Sequence, residues 1–285
     1  MASPTLDART LGLTALAMLA FAANSLLCRM ALQAGSIDAA SFGTLRLAAG
    51  AVTLAGVLRL RGPASAPRGR DTYAAAMLFA YVACFSFAYR WLAAGTGALI
   101  LFGAVQLTMF GAGLRAGERF GATAWAGFAL ALGGLAYLVA PGVAAPSLQG
   151  ALLMAAAGVA WGLYSLRGRG AGDPLGATAA NFLLATPMAA ALSLAFAGHA
   201  QVSAQGALLA AASGAVSSGL GYVIWYAALP GLSALRAATV QLSVPPLAAV
   251  GGVLLLSEAL SMRLVQGSVA ILGGVAIVLF VKAKR

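Results

Sequence analysis

One pattern recurs ten times along this chain: an apolar run long enough to cross a bilayer, then a short stretch rich in glycine, proline or arginine. The runs cover residues 11–33, 38–59, 72–93, 96–115, 121–140, 148–167, 175–197, 204–228, 232–256 and 262–281, each bound good to a few residues. A helix needs about 20 apolar residues to cross the hydrocarbon core. Breakers such as Gly62-Pro63, Gly95-Thr96-Gly97, Pro141-Gly142, Asp173-Pro174 and Pro230-Gly231 punctuate the runs. Composition argues against a soluble fold: 62% of residues are hydrophobic and 8% charged, with a mean hydropathy of +0.95. A water-facing surface needs far more charge than that. The expected class is an all-α membrane protein of ten transmembrane helices, with the lipid bilayer as its solvent.

The net charge of +11 does not point to nucleic acid, because the basic residues are spread over run ends rather than gathered in one stripe. They report orientation instead. With a cytoplasmic N-terminus, twelve of them fall inside: Arg9, Arg59, Arg61, Arg68, Arg70, Arg115, Arg119, Arg167, Arg169, Lys282, Lys284 and Arg285. Only Arg29, Arg90 and Arg263 fall outside. Both termini are therefore expected in the cytoplasm, in a bacterial inner membrane. The run from Leu11 to Leu32 is about twice the h-region of a signal peptide, which reads as a retained first helix. Cys28 and Cys84 both lie in apolar runs and suggest neither a disulfide framework nor a metal site. No cofactor is expected.

Sliding the chain by 140 residues exposes a repeat. Ser25 meets Ser165, Arg29 meets Arg169, Phe42 meets Phe182, Glu118 meets Glu258, Gly127 meets Gly267, and Gly133-Gly134 meets Gly273-Gly274. The halves, 1–141 and 147–285, form one integral membrane domain of five runs each. Five is odd, so the second half enters from the opposite side. Two inverted five-helix repeats around a central cavity are the construction of many secondary transporters, working by alternating access.

These residues carry a resemblance. Pro245-Pro246, Gly251-Gly252, Glu258, Gly267 and Gly273-Gly274-Val275, echoed by Gly117-Glu118, Gly127 and Gly133-Gly134, resemble the drug/metabolite transporter superfamily in its ten-helix form with two EamA-type halves. The first half departs from the pattern in having no proline to match Pro245. Within the superfamily the chain looks most like the bacterial exporters of aromatic and other amino acids. The resemblance implies an amino acid as the small-molecule partner and export across the inner membrane. Drugs, nucleotides or lipids, the last moved by a flippase of the same fold, are the alternative cargoes.

Several residues could carry the chemistry. Arg46 lies about eight residues, roughly 12 Å of helix rise, from the outer end of its run. An arginine near mid-membrane costs about 2.5–3.5 kcal/mol even on lenient insertion scales, so it needs water, a partner or an anionic ligand. It either meets a substrate carboxylate in the cavity or binds carbonyls of a neighbouring helix as structural glue. Its repeat counterpart is Thr186. Tyr81, Phe85, Trp161, Tyr164 and Tyr222 could wall a cavity or pack helices together. Tyr89, Trp91, Trp225 and Tyr226 stand nearer run ends, where interfacial belts form. Asn24, Ser25, Asn181, Gln106 and Gln241 could bind a ligand or hydrogen-bond between helices. Pro187, Pro245 and Pro246 should kink their helices and could act as hinges. Gly127, Gly134, Gly267 and Gly274 are expected at helix contacts, within one protomer or across a homodimer.

All six carboxylates, Asp7, Asp38, Asp71, Glu118, Asp173 and Glu258, map to termini, loops or run ends. Proton-driven carriers usually keep an ionisable group inside the membrane, so facilitated diffusion, or coupling through an unusual group, is expected. An ATP-driven pump would need a GxxxxGK[ST] loop, yet the only lysines are Lys282 and Lys284. With one histidine, His199, in a loop and no nucleophile motif, an enzyme is not expected.

Overall fold

A computed structural model describes residues 8–61, 71–117, 121–142, 145–168, 172–232, 237 and 240–280. Among them are ten helices and no strand, apart from a single bridge between Ile37 and Val202. The helices are α1 (Ala8–Gln33), α2 (Ala39–Arg61), α3 (Thr72–Ala88), α4 (Ala94–Arg115), α5 (Ala122–Val139), α6 (Leu148–Gly168), α7 (Pro174–Ala195), α8 (Ala204–Gly231), α9 (Gln241–Leu256) and α10 (Met262–Phe280). Seven of them, α1, α2 and α4–α8, are long and apolar enough to cross a membrane. The other three are apolar over shorter stretches, Thr72–Ala88, Gln241–Leu256 and Met262–Val278. Large side chains such as Leu183, Leu194, Leu208, Leu254 and Val269 are exposed, as a lipid-facing surface requires.

Two boundaries differ from the sequence expectation. Helix α3 stops at Ala88 rather than near residue 93, and Arg29 of α1 is the reason. Its guanidinium donates to the carbonyls of Tyr89 (3.0 Å) and Arg90 (3.5 Å), supplying donors that a helix end lacks. Arg29 also pairs with Glu258 at 3.0 Å, and Glu258 accepts from the Ala94 N–H at 2.8 Å, capping α4. One ion pair thus fastens α1, the α3–α4 turn and the α9–α10 turn. In α9, Pro245 and Pro246 come after the helical residues Ala237 and Val240. They open its α-helical part, Val244–Leu256, directly after a 3₁₀ turn at Gln241–Ser243. Neither proline can donate to the carbonyl one turn back, so regular α-helix cannot run through them. Pro187 does lie inside α7.

The helices pack as a web between the two halves of the chain. Helix α2 lies on α7, α4 on α9 and α5 on α10, while α3 meets α6 and α7, and α1 meets α8 and α9. At the end carrying Arg59, Arg61, Arg115 and Arg167, two ion pairs join the halves: Asp71 to Arg167 at 2.7 Å and Asp173 to Arg61 at 3.4 Å. The Ala74 N–H and the Arg167 guanidinium hold the Asp71 carboxyl below its ordinary range.

The glycines expected at helix contacts are used inside this one chain. A Cβ on Gly274 would lie 2.5 Å from the Gly127 carbonyl and 2.6 Å from the Ala131 nitrogen. Neighbouring Gly273 faces open space, with nothing within 4 Å of a Cβ. Gly274→Val should therefore cost about 1–3 kcal/mol by overpacking, seen as a fall of several degrees in the unfolding temperature in detergent. Gly273→Ala should leave that temperature unchanged or raise it slightly, since a helical alanine is favoured by about 0.5–1 kcal/mol.

Candidate functional site

A small cavity opens where α1, α2, α3, α4, α6, α8 and α9 converge. Phe21, Asn24, Ser25, Arg46, Tyr81, Phe85, Leu101, Phe102, Trp161, Ser217, Ser218, Tyr222 and Gln241 line it. Helix α2 brings Arg46 to its wall. Helix α8 can press close there because Gly214 lies on the Arg46 carbonyl, where any Cβ would overlap. Over Ser213–Leu220 the helix widens into π geometry. Such bulges shift the register of side chains and often occur at functional sites. Here Ser217 and Ser218 reach the cavity and Ser213 reaches Asn24.

Arg46 dominates the chemistry. It is 1% exposed and is the largest of the fully buried side chains. Its Nη2 donates to the Tyr81 hydroxyl at 3.0 Å and its Nε to the Ser218 hydroxyl at 3.3 Å. The guanidinium carbon lies 5.1 Å from the Tyr81 ring centre and 5.0 Å from that of Phe85. Ring faces attract a cation, more so away from water. No described carboxylate pairs with it, and its Nη1 has no hydrogen-bond partner. Ser217 Oγ, also on the cavity wall, is a second orphaned buried atom. The counterpart position in the second half, Thr186, bonds within its own helix to the Phe182 carbonyl at 2.8 Å.

The aromatic wall is continuous. Tyr81 packs on Trp161 at 4.9 Å, Trp161 stacks on Tyr222 at 5.7 Å, and Phe21 meets Tyr222 at 5.8 Å. Asn24 donates to the Tyr81 hydroxyl at 3.2 Å and accepts from Ser213 at 2.7 Å. Gln241 donates to the Ala237 carbonyl at 3.2 Å. Of the residues singled out from sequence, Asn24, Ser25, Arg46, Tyr81, Phe85, Trp161, Tyr222 and Gln241 meet at this cavity. Tyr164 and Asn181 do not line it. Tyr164 stands behind Trp161, ring centres 5.3 Å apart, with its hydroxyl against Asn181 and Thr178. Phe21, Leu101, Phe102, Ser217 and Ser218 are lining residues that sequence reasoning passed over. Tyr89, Trp225 and Tyr226 are not belt residues. Tyr89 is buried and donates to the Ala94 carbonyl, Trp225 packs on Phe21, and the Tyr226 hydroxyl bonds that of Thr178.

The cavity measures about 40 Å³. A water needs roughly 10–15 Å³ by this measure, so the space holds on the order of three waters. An aromatic amino acid does not fit without the walls moving apart.

Residues 148–280, from α6 to α10, match the model of the EamA-like transporter family. The chain is 57% identical over 273 residues to the uncharacterized protein PA1977 of Pseudomonas aeruginosa, spanning 96% of this chain and 95% of that one. A solved crystal structure of a protein 19% identical in sequence superposes with a TM-score of 0.68 over 96% of this chain and 98% of its own. That likeness concerns the fold alone.

Arg46 separates two physical roles cleanly. A structural glue would lower stability when removed. A buried charge waiting for an external partner is a cost to the empty protein, and an apolar replacement of similar length relieves it. Arg46→Met should therefore leave the unfolding temperature of the ligand-free protein unchanged or raise it by a few degrees. A fall of five degrees or more (about 1–3 kcal/mol for a chain of this size) would identify glue.

Proposed function

We propose that this chain, whose residues 148–280 match a family of membrane transporters of small molecules, exports amino acids, aromatic and other neutral ones, by alternating access. The observation that carries this reading is the buried, carboxylate-free Arg46 on an aromatic-walled cavity between the two halves of the chain.

Support for two inverted five-helix halves comes from the packing. A two-fold axis relating α1–α5 to α6–α10 pairs the α3–α6 contact with α1–α8, α4–α6 with α1–α9, and α2–α8 with α3–α7. It also requires α2, α4 and α5 to meet their own counterparts. Each of these contacts occurs. An axis in the membrane plane further requires the self-paired helices to run antiparallel. In α2 and α7, Thr44 bonds Ser193 while Gly50 lies on Phe182. In α5 and α10, Gly127 lies on Gly274 and Gly134 on Ala270. Both pairs run antiparallel. In this reading all ten helices span the bilayer, and the arginine-rich end faces the cytoplasm of a bacterial inner membrane.

The cycle follows from the cavity's size. Loading needs the halves to part, at one end by releasing the Arg29–Glu258 clasp and at the other by releasing the Asp71–Arg167 and Asp173–Arg61 pairs. Pro187 and Pro245-Pro246, where helices lack backbone bonds, are the hinges this motion would use. The carboxylate of the cargo sits on Arg46 and its side chain among Trp161, Tyr222 and Phe21.

Counterflow in proteoliposomes tests the reading. Labelled phenylalanine, tryptophan and leucine, with no proton or sodium gradient, should show saturable exchange. Arg46→Ala should weaken it at least about tenfold, the value of one charge-assisted hydrogen bond, and Trp161→Ala by about tenfold through lost aromatic packing. Among the described residues no Asp, Glu, His or Lys lines the cavity, so an imposed pH gradient should leave the exchange rate unchanged. A rate that follows the gradient would overturn facilitated diffusion. An absence of exchange in folded protein would redirect the search to drugs, nucleotides or lipids.

A further inference from the structure

The cavity can compensate one sign of charge and not the other. Among the described residues that line it the only charged one is Arg46, with Nη1 unpartnered, and the neighbouring orphan, Ser217 Oγ, can donate a hydrogen bond to an anion as well. Ser217 directly precedes in the chain the serine to which Nε of Arg46 already donates, Ser218. An amino acid also carries an ammonium, one carbon from its carboxylate, and nothing anionic is there to receive it. All four described carboxylates are engaged elsewhere. Asp38 accepts from the N–H groups of Ser41 and Gln201, Asp71 pairs with Arg167, Asp173 with Arg61, and Glu258 with Arg29. Of the cavity's neutral acceptors, Asn24 Oδ1 already holds Ser213, and the others, such as the Gln241 amide oxygen and the hydroxyls, carry no charge. An ammonium bound here would be stripped of water, offered only neutral oxygens and ring faces, and held beside the like charge of Arg46.

From this we propose that the site selects a carboxylate attached to an aromatic or apolar body, and that the α-ammonium is dispensable. Monocarboxylates lacking the amino group, such as 3-aryl-propanoates and 2-oxo acids, are bound at least as well as the parent amino acids. Amines lacking the carboxylate are rejected. The inference rests on the reading of this cavity as the transport site, and it widens the cargo from amino acids to any compound that carries a carboxylate on an apolar body.

The test uses the wild-type chain in proteoliposomes, so no variant has to fold. Counterflow of labelled phenylalanine is competed with unlabelled phenylalanine, 3-phenylpropanoate and phenethylamine, and labelled 3-phenylpropanoate is followed in parallel. The expected result is that 3-phenylpropanoate competes at or below the concentration needed for phenylalanine, while phenethylamine needs at least about tenfold more, the loss of one charge-assisted contact. If phenylalanine exchanges and phenethylamine competes as well as the acid, or if 3-phenylpropanoate fails to compete, the inference is overturned and the amino acid reading survives. If 3-phenylpropanoate exchanges and phenylalanine does not, the inference stands and the amino acid reading fails. Exchange of neither in folded protein overturns both.

Discussion

A charge that cannot be discharged sits at the centre of this helix bundle, and much of the central packing is arranged around it. Arginine keeps its proton under any condition a membrane meets. Lipid offers it nothing, so protein must. Tyr81 and Ser218 take two of its nitrogens, and the rings of Tyr81 and Phe85 take part of its positive charge. Helix α8 reaches it only because Gly214 has no side chain and because the π turn re-aims two serines. One nitrogen is left over. Structural ion sites in proteins are normally completed by the protein itself. In the reading proposed above, this incomplete one, on the wall of a cavity, is where a cargo carboxylate docks.

The scaffold and the site obey different symmetries. Contacts between helices recur in matched pairs, and the glycine face of α5 meets the glycine face of α10. The chemistry is not duplicated. Arg46 has Thr186 as its counterpart, and Thr186 satisfies itself within its own turn. Pro245 has Val105 as its counterpart, inside the unbroken helix α4. In the proposed alternating-access reading, the repeat supplies a frame that can be assembled in two equivalent ways, while single residues in one half or the other give it a cargo. Cavity residues come from both halves, so any shift of one against the other changes the shape that the cargo meets.

Much of this was legible in the sequence, and the limits have physical causes. Arg46 announced itself because an intramembrane cation is costly wherever it points. Asn24 and Ser25 were legible for the same reason at lower stakes, since mid-span polar groups need partners. Phe21, Leu101 and Phe102 were invisible, because an apolar residue in an apolar helix carries no sign of which way it faces. Ser217 and Ser218 were hidden by the π turn, which adds a residue to the helical period and so defeats any count by three and four. Tyr164 and Asn181 were expected at the cavity and do not line it, for spacing gives angle and not depth. The end of α3 depends on Arg29, about sixty residues away, and no local pattern could report it.

The most direct test of an unfinished cation site is to see what finishes it. Crystals of the protein grown with 3-(4-bromophenyl)propanoate would locate the ligand by the anomalous scattering of its bromine. The account predicts a single strong peak among Phe21, Trp161 and Tyr222, with the carboxylate density on Arg46 Nη1. A cavity without bromine, together with an aspartate or glutamate of the chain folded onto Arg46, would contradict it.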